Sequence, residues 1–468
     1  MLAFRHGGGA FLVPYFLALV FIGVPIFVLE LALGQVSQSG DIISFGSLHK
    51  RFRGIGLSSV LGAFFVVTYY SCIIAWCLVY AAHCFSSTLP WAPVNEETSL
   101  KAAAGEFFVK VTGAKGLDAA NGSINWESIV ALAVVWITMV VCIIGGVKSV
   151  GRAIYVTGLV PLVTLCVLVA RGATLSGASE GITQFIGRFE LEELQKGSAW
   201  SDACGQIFFS LGVTFGIMTC YSSYNRRRQN LVVDACAVAF LDSIFVSLLA
   251  GFAVFSTLGF LAQETDTAIE NLPVGGLSLA FMTYPVALAK LPAPQFFCLL
   301  FFLTLFLLGV DSAFSMVEAV CTAIQDSTTF KRVPRRRVVL AVSALGFAIS
   351  LIFITDFGLY LLDCTDAFIN TPGMIFIGFL ETLAVNLYHV REWRALVGDL
   401  VVCLSLGSWT FGCALGAVIA FTVGGDWGIA LGASVGAVSM LSGQWASMYM
   451  VRRDTRPHCD WRRAFHLA

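Results

Sequence analysis

The chain has 468 residues, of which 57% are hydrophobic and 12% are charged, with a mean hydropathy of +0.84 and a formal net charge of −1. Soluble domains carry about 25% charged residues, so this composition excludes an ordinary soluble protein and indicates a polytopic α-helical membrane protein. The near-neutral charge gives no support to nucleic-acid binding, and the sequence lacks the alternation over roughly ten residues that a membrane β-barrel needs.

Eleven apolar runs are long enough to cross a bilayer, which takes about 20 residues in a helix. They predict one transmembrane domain over residues 1–451, followed by a basic tail at 452–468. Its core helices end near residue 390, and two peripheral helices occupy 398–451. The predicted spans are 10–35, 57–85, 127–147, 153–171, 201–223, 231–260, 296–325, 338–355, 359–388, 398–423 and 429–451.

Most of the 28 lysines and arginines lie in every second connection between these spans and in the C-terminal tail. The positive-inside rule places these segments, and therefore the C-terminus, in the cytoplasm. Eleven crossings then put Met1 outside, although such proteins commonly have both ends inside. We therefore expect the chain to begin at the outer end of a span that precedes it. The outer connection 86–126 contains Asn121, the acceptor of a glycosylation sequon.

Polar residues lie within two of these spans where lipid-facing helices have none. The pair Tyr69 and Tyr70 sits in the middle of its span, which argues against an interfacial aromatic belt. In the stretch QIFFSLGVTFGIMTCYSSYN, residues 206–225, Gly212 and Gly216 flank Val-Thr-Phe. Close helix packing is one interpretation of these glycines. We favour a broken helix, whose free backbone groups must face a cavity or bind a partner.

Three of the acidic residues within the predicted spans are candidates for a functional role. Asp311 and Ser312, in LLGVDSAF, offer hard oxygen ligands at a depth where a carboxylate costs about 2.5–3.5 kcal/mol. They suit a dehydrated alkali cation, with helix-packing hydrogen bonds as the alternative. Asp366 is either part of a gate or an exposed acid at the mouth of a pathway. Glu30 is predicted to cap the free N–H groups of the broken helix.

Several motifs, from Gly7 to about Val390, resemble signatures of the neurotransmitter:sodium symporter family, solute carrier family six. They include GGGAFLVPYF, PIFVLELALGQ, TYYSCIIAW, WSDACGQIFFSLG, SYNRRRQN, AGFAVFSTLGF and LLGVDSAF. The resemblance implies the LeuT-type fold, with twelve helices, two inverted repeats and broken first and sixth helices. The eleven predicted spans then correspond to family helices two to twelve, with the first helix lacking.

The resemblance implies two sodium sites and a chloride site. The second sodium site is expected at the Leu308 carbonyl, Asp311 and Ser312, and the first at Ser210 and a seventh-helix residue. Counting from Asp234 puts Asp242 at that seventh-helix position, whereas counting back from Gly251 puts Ser243 there. A one-residue insertion reconciles the two counts, and we favour Asp242. The expected chloride-site residues are Tyr15, Gln206, Ser210 and Ser247.

A carboxylate at residue 242 could do the electrostatic work of chloride, so weak or no chloride dependence is expected. The resemblance also implies a substrate pocket and two gates. The pocket residues are Val66, Tyr70, Phe209, Gly212, Phe215, Ser312, Ala313 and Met316. The gate residues are Asp366, Tyr70 and Phe209 outside, and Tyr224 and Asp326 inside. The arginine partners of Asp366 and Asp326 would lie on the lacking helix.

The implied function is sodium-coupled symport of a small amino acid or amine by alternating access, with neutral amino acids favoured. Its partners are the solute, sodium and the lipid bilayer, and the plasma membrane is the expected location. The alternative is a truncated, transport-incompetent paralogue or isoform. The six histidines show no metal-ligand spacing and the 14 cysteines form no CxxC pair. We therefore do not expect an enzyme.

Overall fold

The described part of the protein is mostly helical and contains no β-strand. The computed structural model describes residues 2–397, apart from 93–99, 115–121, 228, 270–271, 273–274 and 328. Within these residues seven helices are long and apolar enough to cross a membrane, and shorter apolar helices accompany them. This confirms the all-α polytopic class. Asn121, the spans 398–423 and 429–451, and the basic tail lie outside the described residues.

Fourteen helices carry the architecture. They are α1 (Gly9–Ser37), α2 (Asp41–Leu48), α3 (Lys50–His83), α4 (Leu100–Thr112), α5 (Trp126–Ile143), α6 (Val147–Ala173), α7 (Gly197–Leu211), α8 (Ile217–Ser222), α9 (Leu231–Glu264), α10 (Leu279–Ala289), α11 (Pro294–Asp326), α12 (Arg335–Phe353), α13 (Gly358–Phe368) and α14 (Met374–Val397).

The centre of the molecule is the contact between α3 and α11, which pack along each other. A Cβ atom added at Gly309 would lie 2.7 Å from the Ile74 side chain, so glycine permits the close approach of the two helices. Helix α3 buries most of its surface, including Val66, Cys72 and Trp76. A helix that is apolar on all sides is expected where neighbours surround it, and this explains the lack of an amphipathic pattern in α3.

Single turns of π-helix interrupt three of the predicted spans. They occupy Leu19–Gly23 in α1, Leu241–Val246 in α9, and Ile369–Gly373 between α13 and α14. A π-turn adds one residue to a helix and often marks a functional site. The predicted span 359–388 is therefore divided into α13 and α14, with Pro372 inside the π-turn.

Candidate functional site

The fifth predicted span is broken in its middle. Helix α7 ends at Leu211 and α8 begins at Ile217. Between them Gly212, Thr214 and Gly216 adopt left-handed backbone conformations, with φ values of 64°, 67° and 68°. Glycine adopts such angles at no steric cost, whereas threonine does so under strain. The predicted broken helix is confirmed.

Glu30 on α1 holds this break by accepting a hydrogen bond from a backbone amide. Its Oε1 atom accepts from the backbone N–H of Thr214 at 2.5 Å, and its side chain is fully buried. An unpaired buried N–H would cost about 1–3 kcal/mol, so the carboxylate stabilises an otherwise unfavourable backbone. The prediction that Glu30 caps the broken helix is confirmed.

Three oxygen-bearing groups lie on one face of α11. Residues 308, 311 and 312 are related by i, i+3 and i+4, so they share a side of the helix. The Ser312 hydroxyl lies 3.4 Å from the Leu308 carbonyl oxygen, and Leu308 is 41% exposed. Asp311 accepts a hydrogen bond of 2.5 Å from the Thr157 hydroxyl of α6. The face is therefore both rich in hard oxygens and open.

Tyr70 joins this face to the helix break. Its ring packs edge-on against Phe209 at the end of α7, with centroids 6.1 Å apart, and its hydroxyl faces Ser312. Phe209 in turn packs edge-on against Phe215 at 6.4 Å. The predicted pocket residues of α3, α7 and α11 are thus brought together around the break.

The remaining pocket residues are buried beside these aromatic rings. Val66 and Ala313 are fully buried, and Met316 is 3% exposed. Met316 fills space within the core, where a smaller residue would leave room. Its thioether side chain is flexible enough to fit an irregular gap.

A second polar cluster lies between α1, α7 and α9. Asp242 Oδ2 accepts a hydrogen bond of 2.6 Å from the Ser210 hydroxyl. The Tyr15 hydroxyl donates to the Ser243 carbonyl at 3.1 Å and lies 3.3 Å from the Ser247 hydroxyl. Four of the five residues predicted for the first sodium and chloride sites therefore meet. Gln206 is exposed.

The π-turn of α9 lies where the two residue counts disagree. It spans Leu241–Val246 and therefore contains both Asp242 and Ser243. A π-turn holds one residue more than an α-turn does. Both residues consequently face the cluster, Asp242 through its carboxylate and Ser243 through its carbonyl.

The predicted outer gate centres on Asp366. Its Oδ1 atom accepts a hydrogen bond of 2.8 Å from Tyr69 and another from Asn370. Tyr69 is 1% exposed, so its hydroxyl is committed to this acid. Tyr69 therefore contacts Asp366, whereas Tyr70 packs in the aromatic pocket.

The predicted inner gate is less compact. Asp326, at the end of α11, accepts a hydrogen bond of 2.5 Å from the backbone N–H of Gly40. Tyr224 is 49% exposed beyond the end of α8. A partly buried ion pair lies nearby, where Arg335 of α12 donates to the buried Glu318 of α11.

Sequence reasoning missed three residues of the site. Thr157 was not singled out because a lone threonine in a transmembrane helix usually bonds to its own backbone, as Thr157 also does to Ala153 at 3.2 Å. Asp41 and Glu381, both buried, lie near Glu30. Glu381 falls within a predicted span, so its charge was a signal that could have identified it.

Comparisons with known proteins decide the family. The family profile described as "Sodium:neurotransmitter symporter family" matches residues 1–415. The chain belongs to this family. Members of this symporter family are transporters rather than enzymes, and they carry small solutes with sodium across membranes.

Three relatives show the range of the symporter family around this chain. A sodium- and chloride-dependent GABA transporter 2 of Macaca fascicularis is 34% identical over 86% of this chain and 70% of the relative. A sodium- and chloride-dependent neutral and basic amino acid transporter B(0+) of Mus musculus is 32% identical over 88% and 71%. A sodium-dependent dopamine transporter of Caenorhabditis elegans is 33% identical over 84% and 70%. These similar identities do not distinguish among the three kinds of solute.

Proposed function

We propose that this chain is a sodium-coupled symporter of a small amino acid or amine that works by alternating access. The observation that carries the proposal is the position of Tyr70, between Phe209 at the helix break and Ser312 on the open oxygen face of α11. A solute bound at the break would therefore contact groups that also contact the cation. Groups that contact both the solute and the cation allow the binding of one to change the affinity for the other.

The second sodium site is proposed at the oxygen face of α11. The Leu308 carbonyl, the Asp311 carboxylate and the Ser312 hydroxyl supply hard oxygens that replace the water shell of the ion. The Thr157 hydroxyl holds Asp311 in place from a different helix. Sodium binding would therefore tie α11 to α6 and favour one arrangement of the two helices.

The solute is proposed to bind beside the helix break. Its carboxylate, where it has one, would accept from the Tyr70 hydroxyl, while Phe209 and Phe215 contact its apolar part. The backbone between Gly212 and Gly216 departs from the regular helix ladder and offers further polar partners there. Neutral amino acids remain our favoured class.

Uptake into proteoliposomes tests the proposed function. Purified chain should accumulate a labelled amino acid or amine when sodium is high outside, and should not do so when choline replaces sodium. A panel of glycine, alanine, leucine, GABA and dopamine covers the solute kinds. Saturable sodium binding without uptake of any of these solutes would favour the alternative, a non-transporting membrane protein.

The Asp242 cluster predicts how transport responds to chloride. A fixed carboxylate 2.6 Å from the Ser210 hydroxyl supplies negative charge where an anion would otherwise bind. Replacing chloride by gluconate should therefore change initial uptake by less than about twofold, a free-energy change below 1 kcal/mol. The Asp242→Asn variant should require chloride, and Asp234→Asn serves as the matched control. Loss of wild-type uptake in gluconate would contradict this assignment.

The Tyr70 hydroxyl should favour binding of solutes that carry a carboxylate. In the Tyr70→Phe variant, the concentration for half-maximal uptake of an amino acid should rise about 10-fold or more, since a hydrogen bond to a charged group contributes about 1.5–3 kcal/mol. Uptake of an amine without a carboxylate should change less. Competition assays with paired solutes measure the difference, and an equal effect on both would argue against a carboxylate contact.

A further inference from the structure

Three acidic side chains meet next to the helix break. Glu30 on α1 and Glu381 on α14 are fully buried and face each other, and Asp41 at the start of α2 is 2% exposed. Thr214 donates to Glu30 through its backbone amide, and Ser59 donates to Glu381 at 3.1 Å. The three acids therefore form one buried cluster, which we call the acid triad.

Four of the six carboxylate oxygens in the acid triad have no hydrogen-bond partner. Both carboxylate oxygens of Asp41, and the Oε2 atoms of Glu30 and Glu381, have no hydrogen-bond partner. The fully buried Thr219 hydroxyl faces Asp41 and is also without a partner. Buried polar atoms are nearly always paired, and a buried carboxylate without donors is costly. The cluster therefore calls for a positively charged ligand.

The surroundings of Asp41 narrow the choice of that ligand. On α11, Asp326 already accepts a hydrogen bond from the backbone N–H of Gly40. On α3, the Arg53 side chain packs against Gly46, which lies more than one helical turn along α2 from Asp41. Besides Glu30 and Glu381, the described residues place no charged group against Asp41. No group of three His, Cys, Asp or Glu side chains in the described ranges is arranged to hold a metal ion. A proton fits this cluster, because a protonated carboxyl group can donate a hydrogen bond to a neighbouring carboxylate.

We propose that the acid triad is a proton-binding site and that Asp41 is the member that exchanges its proton. This goes beyond the proposed symport, since it adds a third ligand at a place distinct from the sodium sites. Burial raises the pKa of Asp41 to about 7. A Cβ atom added at Gly216 would lie 3.1 Å from the Asp41 Cβ and 3.3 Å from its carboxyl carbon, so the charge of Asp41 changes directly against the break.

The sign of the pH effect follows from the raised pKa. Between about pH 4 and pH 7 the folded protein binds the Asp41 proton and the unfolded chain releases it. Stability from this group is therefore highest at low pH and is lost as the pH rises through about 7. Deprotonation would leave a buried anion against Gly216, faced only by the Thr219 and Ser59 hydroxyls, and would loosen the break.

Thermal unfolding of the purified full chain in detergent, without uptake, tests the proposal. The wild-type Tm should fall by about 2–5 °C between about pH 5.5 and pH 8, and Asp41→Asn should remove most of that fall. The control Asp266→Asn, at an exposed residue, should follow the wild type. An equal pH dependence in Asp41→Asn and wild type would overturn the proposal.

Two further measurements keep the test decisive. If Asp41→Asn does not fold, a component of the infrared carboxylic-acid C=O band of the wild type should still disappear as the pH is raised through about 7, and a band unchanged across that range would overturn the proposal. Calcium or magnesium added at pH 8 should not change the wild-type Tm. Stabilisation by either ion that Asp41→Ser abolishes would identify a metal site instead.

Discussion

The Asp311→Asn variant is expected to lose the stabilisation that sodium gives the protein. A ligand at 100 times its Kd stabilises the folded state by about 2.7 kcal/mol, and saturating sodium should raise the Tm of the wild type accordingly. The variant keeps the size of the side chain but replaces the charged oxygen of the proposed site with an amide. Its Tm should change by less than a third of the wild-type shift when choline is exchanged for sodium.

Ser312→Ala provides a graded comparison. It removes one neutral oxygen and leaves the carboxylate held by Thr157, so sodium affinity should fall about 10-fold, equivalent to about 1.4 kcal/mol. Asp234→Asn, at the start of α9, is the matched control and should respond to sodium like the wild type. A full sodium response in Asp311→Asn would place the ion elsewhere.

The Glu30→Ala variant is expected to destabilise the protein and to abolish uptake. It leaves the buried N–H of Thr214 without an acceptor, which costs about 1–3 kcal/mol, and it opens a cavity next to Glu381. Because Thr214 holds a strained left-handed conformation, the break should then rearrange. Thermal unfolding in detergent and sodium-dependent uptake measure the two effects.

Glu30→Gln separates the hydrogen bond from the charge. The glutamine carbonyl can still accept from Thr214, so this variant should recover most of the stability lost in Glu30→Ala. Glu264→Ala, at the exposed end of α9, removes a carboxylate that takes part in no cap and should leave the Tm nearly unchanged. Equal Tm values for Glu30→Ala and wild type would show that the cap does not hold the break.

The sequence was sufficient to predict the helix break and its cap. Two glycines around Val-Thr-Phe, within an otherwise apolar span, indicated the break, and a lone buried acid indicated Glu30. These predictions succeeded because unpaired polar groups are costly in a membrane, so an acid or a break within a span is expected chiefly where it has a binding partner.

The rest depended on packing between distant segments. Thr157 and Asp311 are 154 residues apart, and nothing in either local sequence relates them. Counting residues could not choose between Asp242 and Ser243, and the fold shows that both lie in the π-turn at Leu241–Val246. Asp41 looked like a loop residue between two spans, and only the fold shows that it is buried against Gly216.

Direct binding of radioactive sodium to the purified chain tests the central claim, that the oxygens of α11 beside the helix break hold a sodium ion. The wild type should bind sodium saturably, with unlabelled sodium but not potassium as an effective competitor. Asp311→Asn should lose this binding, and Asp234→Asn should keep it. Undiminished binding in a variant that combines Asp311→Asn with Ser312→Ala would contradict the account.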